Sequence, residues 1–128
     1  MISKIRGIGI DTEENGRIGA LIEKNGERFL KKVFTDKEIA YCSEKKDNYG
    51  SFTARFAAKE ALFKALGSGL RNGLKWKDVE TLNDSLGKPY ICLYDKTAEN
   101  INDDIVHISL THTKSQATAF VIIERRAS

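Results

Sequence analysis

The sequence is poor in the residues that build covalent or metal-stapled scaffolds. Its 128 residues include one Pro, two Cys, two His and one Trp. One Pro with 10 Gly excludes a collagen-like or low-complexity chain. Cys42 and Cys92 stand far apart, near no other Cys or clustered His, which argues against a disulfide framework and against a zinc site. No apolar run approaches the ~20 residues of a membrane-spanning helix. Met1-Ile2-Ser3-Lys4-Ile5-Arg6-Gly7 lacks the apolar stretch of a secretory signal, so the expectation is a cytoplasmic protein with no membrane partner. Excess charge of one sign is scarce too. The 21 Lys and Arg nearly balance 18 Asp and Glu, and the net +3 is too mild for a dedicated nucleic-acid binder.

What is present is 41% apolar residues, enough for the core of one domain spanning 1–128. Ile5, Ile8 and Ile10 predict a short buried strand, with Gly7 and Gly9 permitting close backbone approach. Ile18, Leu21 and Ile22 show helical spacing within residues 12–24, and Glu27 to Lys32 reads as a further helical turn. Thr35 and Glu38 form a capping box for a helix running to about Lys45. Lys46 to Gly50 reads as a loop, and Ser51 as the cap of an alanine-rich helix over 52–66, with Phe52, Phe56, Phe63 and Leu66 as its apolar stripe. Gly67 and Gly69 end that helix. Val79–Leu82 and Tyr90–Tyr94 predict two strands around a turn, with Pro89 opening the second, and Asp95 to Asn102 a short helix. Val106, Ile108 and Leu110 alternate with polar residues as a half-buried strand, and His112 to Gln116 reads as a turn. Ala117 to Ile123 reads as a strand covered on both faces. Helices early and strands late predict an α+β domain.

Three places carry chemistry. Asp11 follows an apolar strand, where a carboxylate either caps the next helix or holds a hard divalent cation beside phosphate oxygens. Glu60 and Lys64 share a helix face, as an ordinary i,i+4 pair or as a carboxylate among alanines that needs a cation. Ser109 to Lys114 offers hydroxyls, an imidazole and an ammonium, either as a polar turn or as ligands for phosphate oxygens. Residues 17–32 hold Arg17, Lys24, Arg28, Lys31 and Lys32 against Glu23 and Glu27, which is a solvated helix face or a dock for an acidic partner.

Taken in order along the chain, three blocks resemble the bacterial holo-[acyl-carrier-protein] synthases, the short class of 4′-phosphopantetheinyl transferases. They are Gly7-Ile8-Gly9-Ile10-Asp11, Arg55-Phe56-Ala57-Ala58-Lys59-Glu60-Ala61-Leu62-Phe63-Lys64-Ala65, and Val106-His107-Ile108-Ser109-Leu110-Thr111-His112-Thr113. Lesser matches are Arg28-Phe29, Phe34-Thr35 before Glu38, Gly67-Ser68-Gly69 and Gly87-Lys88-Pro89. Thr12 and Gly16 depart from the family's pattern, which usually has an apolar residue and a non-glycine there.

The resemblance implies an α+β 4′-phosphopantetheinyl transferase module, with helices on a small antiparallel sheet, assembling as a homotrimer. It implies transfer of the phosphopantetheine arm of coenzyme A to a serine of apo acyl carrier protein in fatty acid biosynthesis, releasing adenosine 3′,5′-bisphosphate. Asp11, Glu60 and Lys64 are its catalytic group, with Asp11 and Glu60 as ligands of Mg²⁺, or of Mn²⁺ in its place. Lys64, Thr111 and His112 are its coenzyme A contacts, and Arg17, Leu21, Lys24 and Arg28 its carrier-docking residues. Competing readings are a Mg²⁺–nucleotide module without transferase activity, a small basic RNA-binding domain, and a transferase serving a secondary-metabolic carrier. The strands after 104 carry no Lys or Arg before Lys114, which disfavours RNA.

Overall fold

In the computed structural model, which describes residues 3–67 and 73–126, the chain begins with a strand laid directly against its longest helix. The elements run β1 (Ile5–Glu14), α1 (Asn15–Asn25), α2 (Glu27–Val33), α3 (Asp36–Ser43), α4 (Asn48–Leu66), β2 (Val79–Asn83), β3 (Pro89–Leu93), α5 (Asp95–Ile101), β4 (Ile105–His112) and β5 (Gln116–Glu124). β1, β5 and β4 make an antiparallel sheet in that order, and β2 pairs antiparallel with β3. This is the α+β class that the sequence predicts.

Alanine and glycine set the centre. Ala57, Ala58 and Ala61 of α4 are fully buried, and its Phe52, Phe56, Leu62 and Phe63 are buried around them. Most of α4 is buried, because it lies between the three-stranded sheet on one side and α1, α3 and β2 on the other. On β1 the approach is backbone to backbone. A Cβ on Gly7 would stand 2.0 Å from the Ala65 carbonyl oxygen, and one on Gly9 would stand 1.9 Å from that of Ala61. Gly67, in the left-handed conformation (φ +78°), ends α4, its N–H donating to the carbonyls of Phe63 and Lys64. Gly69, predicted to share that role, lies outside the described residues.

α3 begins as predicted. Glu38 N–H donates to Thr35 Oγ1 (3.2 Å), and Thr35 N–H to Glu38 Oε1 (3.0 Å). The same carboxylate, fully buried, also accepts from Lys59 Nζ (2.8 Å) and from Thr81 N–H (3.0 Å), joining α3, α4 and β2. Lys59 donates further to the carbonyls of Trp76 and Val79.

Several predictions from sequence need correction. The strand containing Ile5, Ile8 and Ile10 runs on to Glu14, and α1 starts only at Asn15. Its isoleucines are exposed, Ile8 by 55% and Ile10 by 57%, while Gly9 and Asp11 take the buried face. The alternation is right and the facing is inverted, because α4 can approach β1 only on the glycine side. α4 starts at Asn48, capped by Asp47, whose Oδ1 accepts from Gly50 N–H (3.1 Å). Ser51 is therefore a helix residue and not a cap. α3 ends at Ser43, two residues short of Lys45. β4 includes His112 and β5 includes Gln116, so the turn is 113–115. β5 is buried on one face through Ala117, Ala119, Val121 and Ile123, while Phe120 on the other face is 38% exposed.

Candidate active site

Asp11 stands on the glycine face of β1, two positions beyond Gly9, and so points at α4. There it meets Lys64, whose Nζ donates to Asp11 Oδ1 (3.0 Å) and to the Ile10 carbonyl (3.0 Å). Glu60 is one turn earlier on α4 and projects to the same seam. Burial raises the Glu60 pKa, the nearby Asp11 charge raises it further, and Lys64 and Arg17 oppose the shift. Lys64 is raised, chiefly by its hydrogen bond to Asp11. The structure thus brings Asp11 together with Glu60 and Lys64, 49 and 53 residues further along the chain.

Asp11 is only 8% exposed, and its Oδ2 is buried without a hydrogen-bond partner. A buried carboxylate oxygen left unmatched is costly unless a cation meets it. Oxygen-only donors, an orphaned Oδ2 and a second carboxyl, raised by burial and then by the Asp11 charge, together fit a hard divalent cation. Among the described residues no three His, Cys, Asp or Glu form a closed cage. Two carboxylates leave coordination positions for phosphate oxygens, the usual arrangement for Mg²⁺ at a phosphoryl-transfer site.

Sequence reading missed Glu13. It shares the strand face of Asp11, and its Oε1 accepts from Arg17 NH1 at 2.6 Å. Its pKa is raised to about 7, by burial first and then by close contact with the Asp11 carboxyl. The signal available was the i,i+2 spacing from Asp11 in a strand, which an early helix start at residue 12 hid.

Thr111 and His112 do not join this cluster. They line a separate cavity of about 530 Å³ with Tyr41, Lys45, Arg55 and Pro89. His112 pairs with Ala117 and Ala117 with Glu13, so two strand spacings, about 10 Å, separate the two places along the sheet. Arg55 is 5% exposed. It donates to Asn83 Oδ1 (2.6 Å), stacks 4.4 Å from the Tyr41 ring centroid, and keeps Nε buried without a partner. Sequence reading did not single out Arg55, Tyr41 or Lys45. Of the four docking residues, Arg17, Lys24 and Arg28 are exposed, while Leu21 is half-buried against Ile18, Phe34 and their neighbours.

Residues 7–121 match the family described as the 4′-phosphopantetheinyl transferase superfamily. The holo-[acyl-carrier-protein] synthase of Geobacter sp. strain M21 is 40% identical over 124 residues, covering 94% of this chain and 99% of its own. That of Clostridium tetani is 46% identical over 123 residues, covering 94% and 96%. The crystal structure of the Bacillus anthracis holo-(acyl-carrier-protein) synthase in complex with CoA (3′,5′-ADP) matches with a TM-score of 0.80 at 33% identity, covering 95% of this chain and 98% of that one. Two acidic side chains and a lysine at a glycine–alanine seam are thus found in a chain that belongs to the holo-[acyl-carrier-protein] synthases, within the 4′-phosphopantetheinyl transferase superfamily.

Proposed function

We propose that this chain moves the 4′-phosphopantetheine arm of coenzyme A onto a serine of apo acyl carrier protein, with Asp11, Glu60 and Lys64 as the reacting centre. The observation that carries the assignment is the convergence of these three at the β1–α4 seam. The carrier serine Oγ bonds to the β-phosphorus of coenzyme A. The bond from that phosphorus to the bridging oxygen breaks, and adenosine 3′,5′-bisphosphate leaves. The serine proton passes to Glu60, directly or through an intervening water. Lys64, with its side chain 54% exposed, is free to turn from Asp11 to a phosphate oxygen. Asp11 and Glu60 are the ligands we assign to Mg²⁺, which when bound supplies charge neutralisation and in-line orientation of the pyrophosphate.

The second cavity suits the nucleotide end of coenzyme A. Arg55 and Lys45 provide cations, Tyr41 provides a ring face, and Thr111 and His112 provide polar contacts. The reacting centre and this cavity share no lining residue, which supports a composite site built between copies of the chain. The open face of the three-stranded sheet favours the same reading. Ile10 pairs with Phe120 and Ile8 with Ile122, and this exposes a row of apolar side chains. A homotrimer whose heterologous interfaces close a ring brings one copy's Asp11 beside the next copy's His112. Arg17, Lys24 and Arg28, exposed on α1 and α2, meet the acidic surface of the carrier, with Leu21 as the apolar contact among them. The setting is the cytoplasm and the pathway fatty acid biosynthesis.

The test is to mix the protein with coenzyme A, Mg²⁺ and apo carrier, and weigh the carrier by mass spectrometry. The expected result is a mass gain of one phosphopantetheine, abolished by chelator. No gain with any apo carrier at saturating Mg²⁺ overturns the assignment.

A further inference from the structure

The Glu13–Arg17 pair joins two parts of the molecule that the proposed function treats separately. Glu13 faces the same side of β1 as Asp11, two residues further along the strand. Its side chain is 13% exposed, so it belongs to the seam and not to the open surface. Its ion-pair partner, Arg17, is 57% exposed on α1 and is the first of the cations assigned to carrier docking. One carboxylate therefore has a claim from each side. Arg17 holds it at 2.6 Å, and the orphaned Asp11 Oδ2 marks where a cation would draw it. Among the described residues no three carboxylates form a closed cage.

We propose that Glu13 couples occupancy of the Asp11–Glu60 metal site to carrier binding, exchanging Arg17 for the divalent ion and so freeing Arg17 to pair with an acidic carrier. The proposal rests on the metal and docking assignments made above. Its physical basis is competition. A carboxylate cannot saturate both a guanidinium and a divalent cation, and a dication at a half-buried site attracts it more strongly than a largely exposed, screened guanidinium does. In free protein Arg17 is partly neutralised and contributes less to docking. Once the ion takes Glu13, the full charge of Arg17 faces the carrier. By linkage the carrier must strengthen metal binding by the same factor. Glu13 is thus a positioning residue. It need not touch the reacting phosphorus, and its effect is read in binding alone.

The experiment uses full-length protein, Mn²⁺ as the probe ion and an apo carrier whose acceptor serine is replaced by alanine, so that no turnover intervenes. Mn²⁺ affinity is measured by electron paramagnetic resonance. Carrier affinity is measured by calorimetry, without Mn²⁺ and at saturating Mn²⁺. For the native chain, Mn²⁺ is expected to tighten carrier binding about fivefold or more. In Glu13→Gln, which is isosteric, that factor is expected to fall close to one, with carrier binding already tight in the absence of metal. Arg17→Ala is expected to tighten Mn²⁺ binding in the native background and to lose that effect when combined with Glu13→Gln. Thermal melts of each variant confirm folding. A metal-dependent factor that Glu13→Gln leaves unchanged overturns the coupling while leaving the metal site intact. Mn²⁺ binding that survives Asp11→Ala overturns the metal assignment itself, and the coupling with it.

Discussion

At Gly9 a single hydrogen decides where the chemistry can be. Its missing side chain lets the Ala61 carbonyl sit where a Cβ would otherwise be, at 1.9 Å. That contact holds Asp11 against Lys64 and near Glu60. Gly9→Ala must push α4 off β1, because the opposing atom is backbone and cannot rotate away. We expect a loss of about 3 kcal/mol in denaturant unfolding, within the range for overpacked cores, and a greater loss of metal binding than of coenzyme A binding. Melting unchanged from the native chain would refute the close approach. Asp104 is a second residue with a checkable consequence. It accepts from the Arg126 backbone N–H (3.1 Å) and from Arg6 NH1 (3.1 Å), and these contacts lower its pKa below the usual 3.8. A depressed carboxyl pKa stabilises the fold above the unfolded-state value, and this contribution disappears as pH falls through the folded-state value. Asp104→Asn is therefore expected to be less stable than the native chain at pH 6 and to converge with it as pH falls through the lowered folded-state value, in thermal melts across that range.

Among the elements, α4 carries the most weight, and Lys59 fixes its rotation. Lys59 is fully buried and bonded to Glu38, while the adjacent Glu60 faces the β1 seam. Lys59→Met leaves the Glu38 carboxylate buried without its cation, and the expected cost is about 3–5 kcal/mol. Pairing it with Glu38→Gln is expected to recover part of that loss, measured by a double-mutant cycle in urea. Much of this layer was legible beforehand. The Thr35–Glu38 capping box, the alanine run, Pro89 at the start of β3 and the alternation of Val106, Ile108 and Leu110 all sit in the elements expected of them. The first turn of α4 was not legible, because Asn48-Tyr49-Gly50 has loop-forming chemistry and only the Asp47 cap, with the packing of Tyr49 on Gly19, makes it helical. The facing of β1 was not legible either. An isoleucine row reads as core unless one knows that a helix backbone covers the glycines. Asp11, Glu60 and Lys64 were visible as candidates, while Glu13 was hidden by the misplaced start of α1.

For the whole molecule, the exposed sheet face and the divided site make one statement. Ile8, Ile10 and Phe120 leave apolar area exposed on one face of the sheet, and the Arg55–His112 cavity lies apart from the Asp11 seam. If copies associate through that face, Ile10→Glu is expected to shift the sedimentation coefficient to that of a monomer. It is also expected to abolish transfer, although Asp11, Glu60 and Lys64 are untouched. A fully active Ile10→Glu monomer would mean that one copy holds a complete site. If the acidic carrier docks across α1 and α2 as proposed, its binding is expected to weaken with salt, read as a rise in KM for the carrier.

The most direct measurement is Mg²⁺-dependent transfer of the coenzyme A arm to apo carrier by the native chain, Asp11→Ala and Glu60→Gln, with Mn²⁺ affinity measured in parallel. The expected result is efficient transfer by the native chain, near-complete loss with Asp11→Ala together with loss of ion binding, and a severe rate loss with Glu60→Gln. Native-like transfer by Asp11→Ala at low Mg²⁺ would contradict the assignment of the β1–α4 seam as the reacting centre.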